Sequence, residues 1–291
     1  MKTSNKVAVF ILLGQSNAVG HGIPMDDKDK ICTPLKNVFG LTRSDNQSFA
    51  NKELNWSGYT SGEMNLAEEQ DHTYSIANCL ARAWQDEIDS GNKSNLPDLC
   101  IVQIAIGSQG VTEGYMWNPN YEKKLIPGKL GEVKISLYPY TTHILSLVKE
   151  SLNKIGKTPE VIQLHWRGGE NDMTTTTELL KNSLKETYKT IFDGFYKALG
   201  EKVPTILHKL VCHEWAIQCD PSGGRLERLH YINEVFETLE REYDNISGFD
   251  ACNAPNYVPD ETGNGLFIED LGHYTAQTNH WVAEQILNSY K

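Results

Sequence analysis

The chain of 291 residues has little of several things. No apolar run approaches the ~20 residues that a bilayer-crossing helix needs, so no membrane partner is expected. Basic residues are in deficit, 27 Lys and Arg against 38 Asp and Glu, for a net charge of −11. Nucleic acids and anionic lipid surfaces call for clustered cations, so neither is an expected partner. The composition is that of ordinary globular proteins, 22% charged and 39% hydrophobic, which excludes collagen, coiled coil and wholesale disorder. No repeat, low-complexity tract or linker-like stretch divides the chain, so residues 1–291 read as one domain. Six cysteines (Cys32, Cys79, Cys100, Cys212, Cys219 and Cys252) lack the close spacing of a disulfide framework. They are expected to be reduced and buried, which makes the cytoplasm the default compartment. Cys212, His213 and Cys219 match no tetrahedral zinc spacing and lack a fourth ligand, so no metal is expected there.

What is present begins with Val7–Leu13, seven apolar residues closed by Gly14. With Lys2 and Lys6 before it and Ala18 and Gly20 after it, the run imitates a secretory signal. Its length suits a strand of a parallel sheet better, because such strands are buried on both faces and need no alternation. Further runs read as strands at Leu99–Ile106, Glu160–Trp166, Val203–Cys212 and, more weakly, Ile246–Ala251. Apolar residues at helical spacing mark helices at Tyr74–Ile88, Tyr138–Ile155, Leu179–Leu199, Leu226–Tyr243 and Ala276–Tyr290. Strands alternating with helices predict an α/β fold, a three-layer sandwich around a parallel sheet. Two stretches, 21–72 and 108–136, exceed ordinary connections; the first is expected to hold another strand near Leu35–Leu41. Both begin near the carboxyl ends of strands, where open α/β sheets bind ligands.

Four strand ends carry chemistry. Gly14-Gln15-Ser16-Asn17 places a serine two residues beyond a buried strand, at a helix start. That is the position of a nucleophile on a tight turn, and also of a plain helix N-cap. Gly107-Ser108-Gln109-Gly110 follows the second run, as an oxyanion loop or a flexible turn. Gly168-Gly169-Glu170-Asn171-Asp172 follows Trp166 with an amide and two carboxylates; its bland reading is a turn before a helix capped by Asp172 or Thr174. Asp270-Leu271-Gly272-His273 sets an Asp three residues before a His, close enough to orient the ring. Taken together these are a nucleophile, oxyanion donors, and a base with its orienting acid.

The ordered set resembles the SGNH (GDSL-like) hydrolases. Gly14-Gln15-Ser16-Asn17 with Gly169-Glu170-Asn171-Asp172 resembles their carbohydrate-esterase branch, which contains sialate O-acetylesterases and acetylxylan esterases. The motifs span residues 14 to 273. The resemblance implies a flavodoxin-like α/β/α sandwich with a parallel sheet of about five strands and no cofactor. It implies Ser16 as nucleophile, His273 as base and Asp270 as its orienter. The oxyanion hole would combine the N–H groups of Ser16 and Gly107 with the Asn171 amide, and Gln15 and Glu170 would be auxiliary. The implied activity is removal of O-acetyl groups from a carbohydrate or similar small ester. One departure stands out: where the branch carries His-Gln-Gly-Glu or Tyr-Gln-Gly-Glu, this chain has Arg167-Gly168-Gly169-Glu170.

Two other functions fit parts of the pattern. The loop Gly14–Gly22 could cradle the phosphate of a nucleotide, but it contains no Lys or Arg and no P-loop spacing. A catalytically silent carbohydrate-binding relative would keep the pocket without the reaction. His213 and Glu214, at a strand end, are candidates to border the site. His21, Trp56, Tyr59, Tyr115, Trp117 and Tyr121, in the long loops, could stack on a sugar ring or pack those loops on the core.

Overall fold

A computed structural model describes residues 5–20, 35–43, 75–91, 95–121 and 136–290. Six strands form one parallel sheet: β1 Lys6–Gly14, β2 Val38–Arg43, β3 Asp98–Ala105, β4 Thr158–Arg167, β5 Thr205–His208 and β6 Ile246–Phe249, in the order β2-β3-β1-β4-β5-β6. The helices are α1 Ser16–Val19, α2 Ile76–Ser90, α3 Leu137–Lys154, α4 Thr177–Leu199, α5 His213–Cys219, α6 Gly224–Glu242 and α7 Ala276–Ser289. The expected extra strand exists as β2, so the six strands read from the sequence are all present, against the about five that the resemblance implied.

β1 explains the layering. Its side chains alternate between two apolar cores. Val7, Val9, Ile11 and Leu13 meet Leu145 and Val148 of α3, Leu184 and Phe192 of α4, and Phe236 of α6. Ala8, Phe10 and Leu12 meet Leu80 and Trp84 of α2 and Val282 and Ile286 of α7. A strand buried on both faces must be apolar throughout, hence the unbroken run. The helix ends follow local rules: Ser75, Thr176 and Thr275 cap N-termini through their side chains, and Gly91 and Gly200 close C-termini in the left-handed conformation.

Two boundaries depart from the sequence reading. The run Val203–Cys212 is strand only over Thr205–His208. Beyond it, the side chain of Asn233 on α6 replaces a neighbouring strand: Leu210 N–H donates to Asn233 Oδ1 (2.9 Å) and Asn233 Nδ2 to the Leu210 carbonyl (2.8 Å). The freed chain then turns into α5, which the sequence reading left unassigned. The cap of α4 is Thr176, accepting from Leu179 N–H, and neither Asp172 nor Thr174. Of the cysteines, Cys79, Cys100 and Cys212 are buried as expected, whereas Cys219 is exposed and Cys252 half-buried; Cys32 lies outside the described residues. No described helix is long and apolar enough to cross a membrane.

Candidate active site

The chain leaves β1 for one side of the sheet, lays down β2 and β3 there, then crosses to the other side for β4 to β6. The crevice at the carboxyl end of β1 is where such sheets bind ligands. A cavity of about 290 Å³ occupies that position, lined by Gln15, Ser16, Asn17, Gly107, Ser108, Glu170, Asn171, Trp215, Gly272 and His273. Of the residues proposed for the reaction, Ser16, His273, Gly107, Asn171, Gln15 and Glu170 line it, and Asp270 stands directly behind His273. Among the described residues no lysine or arginine lines the wall, and its one carboxylate is Glu170.

The turn carrying Ser16 depends on Gly14. Its φ is +144°, and a Cβ there would lie 1.9 Å from the Arg167 carbonyl oxygen. Glycine lets β1 and β4 close up, and Gln15 N–H then donates to that carbonyl at 3.0 Å. Ser16 becomes the first residue of α1. The N-cap position belongs to Gln15, whose side chain makes no cap bond, so Ser16 is not an N-cap.

His273 is anchored from behind. Its Nδ1 lies 2.5 Å from Asp270 Oδ2, while Asp270 Oδ1 accepts the N–H groups of Gly272 and His273, each at 2.9 Å. Burial pushes the Asp270 carboxyl up. The bonds from the His273 ring and the two N–H groups outweigh that and hold it below the ordinary carboxylate value. A carboxylate so held fixes the ring's tautomer and orientation.

Glu170 is not bonded to His273. It is buried, and Oε1 accepts from Asn17 Nδ2 at 2.7 Å. The same Nδ2 donates to the Gly272 carbonyl at 3.0 Å, and Asn17 Oδ1 accepts Tyr274 N–H at 3.2 Å. Asn17 thus ties the Ser16 turn to Glu170 and to both neighbours of His273. Gln15, also buried, accepts Asn171 N–H at 3.4 Å. Two non-glycine residues beside the cavity, Ser108 and Leu271, sit in the left-handed region at φ 61°. That conformation costs about 1 kcal/mol each and clusters where function constrains the backbone.

The departure at Arg167-Gly168 has a structural reading. Arg167 is buried on the far side of the strand, 4.1 Å over the Tyr274 ring, with Nη1 donating to Asn279 Oδ1 at 2.5 Å. Burial lowers its basicity, with Tyr274 and Glu170 opposing that change. It therefore braces the site from behind and does not enter the cavity. A Cβ at Gly168 would be in ordinary contact, 3.6 Å from Gln15 Cγ and Trp166 Nε1, so space does not demand glycine there.

Several aromatic and polar candidates are corrected. Trp117 is fully buried, edge-on to Trp166, its indole N–H donating to the Gly14 carbonyl at 2.9 Å; it packs a loop and cannot stack on a sugar. Tyr115 bonds Thr174 through its hydroxyl (2.6 Å), and Tyr121 packs against the core. His21, Trp56 and Tyr59 lie outside the described residues. The His213 ring lies 5.6 Å from that of His230, tilted by 38°, and burial, then that second ring, lower its basicity. Glu214 accepts Gly263 N–H (2.9 Å). Neither His213 nor Glu214 lines the cavity; their neighbour Trp215 does, lying over Gly272 with the Arg225 guanidinium 5.5 Å from its ring. Among the described residues no three His, Cys, Asp or Glu side chains converge as metal ligands.

No protein-family profile matches the chain, and no curated protein matches it by sequence. Solved structures do. NanS aligns with a TM-score of 0.60 at 16% identity, covering 99% of this chain and 98% of that one. A protein from Arabidopsis thaliana aligns with a TM-score of 0.58 at 17% identity, covering 98% and 99%. A carbohydrate acetylesterase from Xanthomonas citri aligns more loosely, with a TM-score of 0.42 at 12% identity over 97% of this chain and 55% of that one. The first two share the fold of this chain over its whole length.

Proposed function

We propose that this chain is a serine esterase that removes O-acetyl groups from a carbohydrate or a similar small acetyl ester. The observation that carries the reading is the meeting, in one cavity, of Ser16 on its glycine-dependent turn and His273 anchored to Asp270. In the proposed reaction His273 Nε2 takes the Ser16 Oγ proton as Oγ attacks the ester carbonyl. The oxyanion is met by the N–H groups of Ser16 and Gly107 and by the Asn171 amide. His273 then returns the proton to the leaving sugar hydroxyl. Water, deprotonated by His273, releases acetate and restores Ser16.

The cavity stands at the low end of the ~300–1,000 Å³ range of ligand sites, which suits one sugar ring with its acetyl group. Trp215 offers that ring an aromatic face. A phosphate binder is disfavoured, because the wall holds a buried carboxylate and, among the described residues, no cation. The deciding experiment is hydrolysis of p-nitrophenyl acetate by the wild type and by Ser16→Ala, followed by an acetate-release screen on acetylated xylan, acetylated sialic acids and simple acetylated sugars. The substitution should remove several orders of magnitude of activity and leave the circular dichroism spectrum unchanged. A Ser16→Ala protein that keeps most of its activity ends the proposal; a folded wild type without activity points to the silent relative.

A further inference from the structure

Asp172 is fully buried, and the reaction just described does not use it. Its Oδ1 accepts the N–H groups of Val111 and Thr112, each at 2.9 Å, and its Oδ2 lies 3.2 Å from Val111 N. The carboxylate is pressed onto Gly110, where a Cβ would fall 2.4 Å from Oδ1. Only a residue without a side chain lets the backbone come so near. Asp172 directly follows Asn171 in the 3-10 turn Glu170–Thr174, and Val111 lies in the loop that begins at Gly107. One carboxylate therefore joins the two segments that carry the proposed oxyanion donors. Farther out, the bond between Tyr115 and Thr174 ties the same two segments at an exposed point.

We propose that Asp172 is a positioning residue: it locks the loop Gly107–Thr112 against the turn of Asn171, so that the Gly107 N–H and the Asn171 amide converge on the developing oxyanion. The proposal rests on the esterase reading. Oxyanion donors act on the transition state far more than on bound substrate, and their worth depends on fixed direction. Burial pushes the Asp172 carboxyl up to about 6, against the pull of the Thr112 and Val111 N–H groups. At neutral pH it is therefore mostly ionised, and its bonds to the loop are charge-assisted.

Three variants test this. Asp172→Ala leaves two buried N–H groups without an acceptor; Asp172→Asn keeps Oδ1 in place; Gly110→Ala pushes the carboxylate off the loop without removing it. On p-nitrophenyl acetate, Asp172→Ala and Gly110→Ala should each lose kcat by about 10²-fold, the scale of one misplaced oxyanion donor, with KM changed by less than about threefold. Asp172→Asn should restore most of kcat. Amide hydrogen exchange across 107–112 should quicken in Asp172→Ala and Gly110→Ala alone. Wild-type kcat in both of these variants, a loss confined to KM, or unchanged exchange across 107–112 overturns the proposal. If the wild type hydrolyses no ester, the esterase reading fails separately, and the exchange data still decide whether Asp172 locks the loop. If Asp172→Ala does not fold, Gly110→Ala decides.

Discussion

Asn17 gives the sharpest test of how the site is held together. Its one amide reaches Glu170, the Gly272 carbonyl and the Tyr274 N–H, the first at 2.7 Å. Asn17→Ala deletes a bond to a carboxylate, about 1.5–3 kcal/mol, and two neutral bonds of about 1 kcal/mol or less each. It also strips Glu170 of its donor; Oε2 has no hydrogen-bond partner among the described residues, so the buried carboxylate would be left without one there. A loss of about 3 kcal/mol is expected, out of the ~5–15 kcal/mol that holds a typical domain. Because Gly272 and Tyr274 flank His273, the ring should shift as well, and a shift of about 1 Å can cost about 10²-fold in kcat. Asn17→Asp, though isosteric, should be worse near neutral pH. It sets an oxygen against Glu170 Oε1 and the Gly272 carbonyl, where the amide donates to both. Adding Glu170→Gln to it should recover stability by supplying a donor. Urea unfolding and kcat on p-nitrophenyl acetate, measured on all four proteins, read the network directly. Asn17→Ala with wild-type stability and kcat refutes the reasoning; Asn17→Asp milder than Asn17→Ala shows that Nδ2 does not face Glu170.

Three further outcomes are expected. Asp270→Asn should lower kcat by up to ~10⁴-fold, because the carboxylate sets the tautomer of His273, whereas Glu170→Gln should cost less; the reverse order in steady-state kinetics would make Glu170 the acid that serves the base. Trp215→Ala should raise KM for an acetylated sugar by roughly tenfold, the scale of an aromatic contact of ~1.4 kcal/mol, and leave p-nitrophenyl acetate little affected; equal effects on both substrates would remove Trp215 as the sugar's platform. The third concerns acid. His165 and His208 are buried and share a bond, Nδ1 to Nε2 at 2.9 Å. Burial, with the Arg167 charge second, lowers the His165 value to about 3. A folded value below the unfolded one means stability is complete above about pH 6.5 and is lost as pH falls towards 3. Asp172 works in the opposite sense, its folded value of about 6 adding stability as pH falls below it, so only a difference isolates the histidine. Between pH 6.5 and 5 the wild type should lose roughly 1–2 kcal/mol more than His165→Gln in urea titrations. Parallel pH dependences would show that His165 does not carry the effect.

What the sequence made legible was local, and the reason is physical. β1 could be read because a central parallel strand is buried on both faces and needs an unbroken apolar run. Asp270 could be paired with His273 because three residues is within a side chain's reach, and the turn at Gly14 because close strand crossings need glycine. The residues misread or missed act across distance. Asn17 bonds partners 153 and 255 residues away, and Asp172 holds amides about 60 positions earlier. Trp117 was a candidate sugar platform until its N–H met the carbonyl of Gly14, 103 residues back. Trp215 reaches the cavity from α5, which begins just beyond the point where Asn233, on another helix, pairs with the Leu210 backbone. None of these pairings leaves a period or a spacing in the chain, since each joins separate strand ends at one edge of the sheet. The reacting groups proposed from the sequence come from motifs with short spacing, while the groups that aim them are buried amides and carboxylates bonded across the fold. For that reason the substitutions that discriminate most strongly between a working site and a merely assembled one are at Asn17 and Asp172, to which the proposed reaction gives no chemical step. If their variants keep kcat, short-range chemistry alone organises this site; if they lose it while folding normally, its rate is built on contacts that no motif encodes.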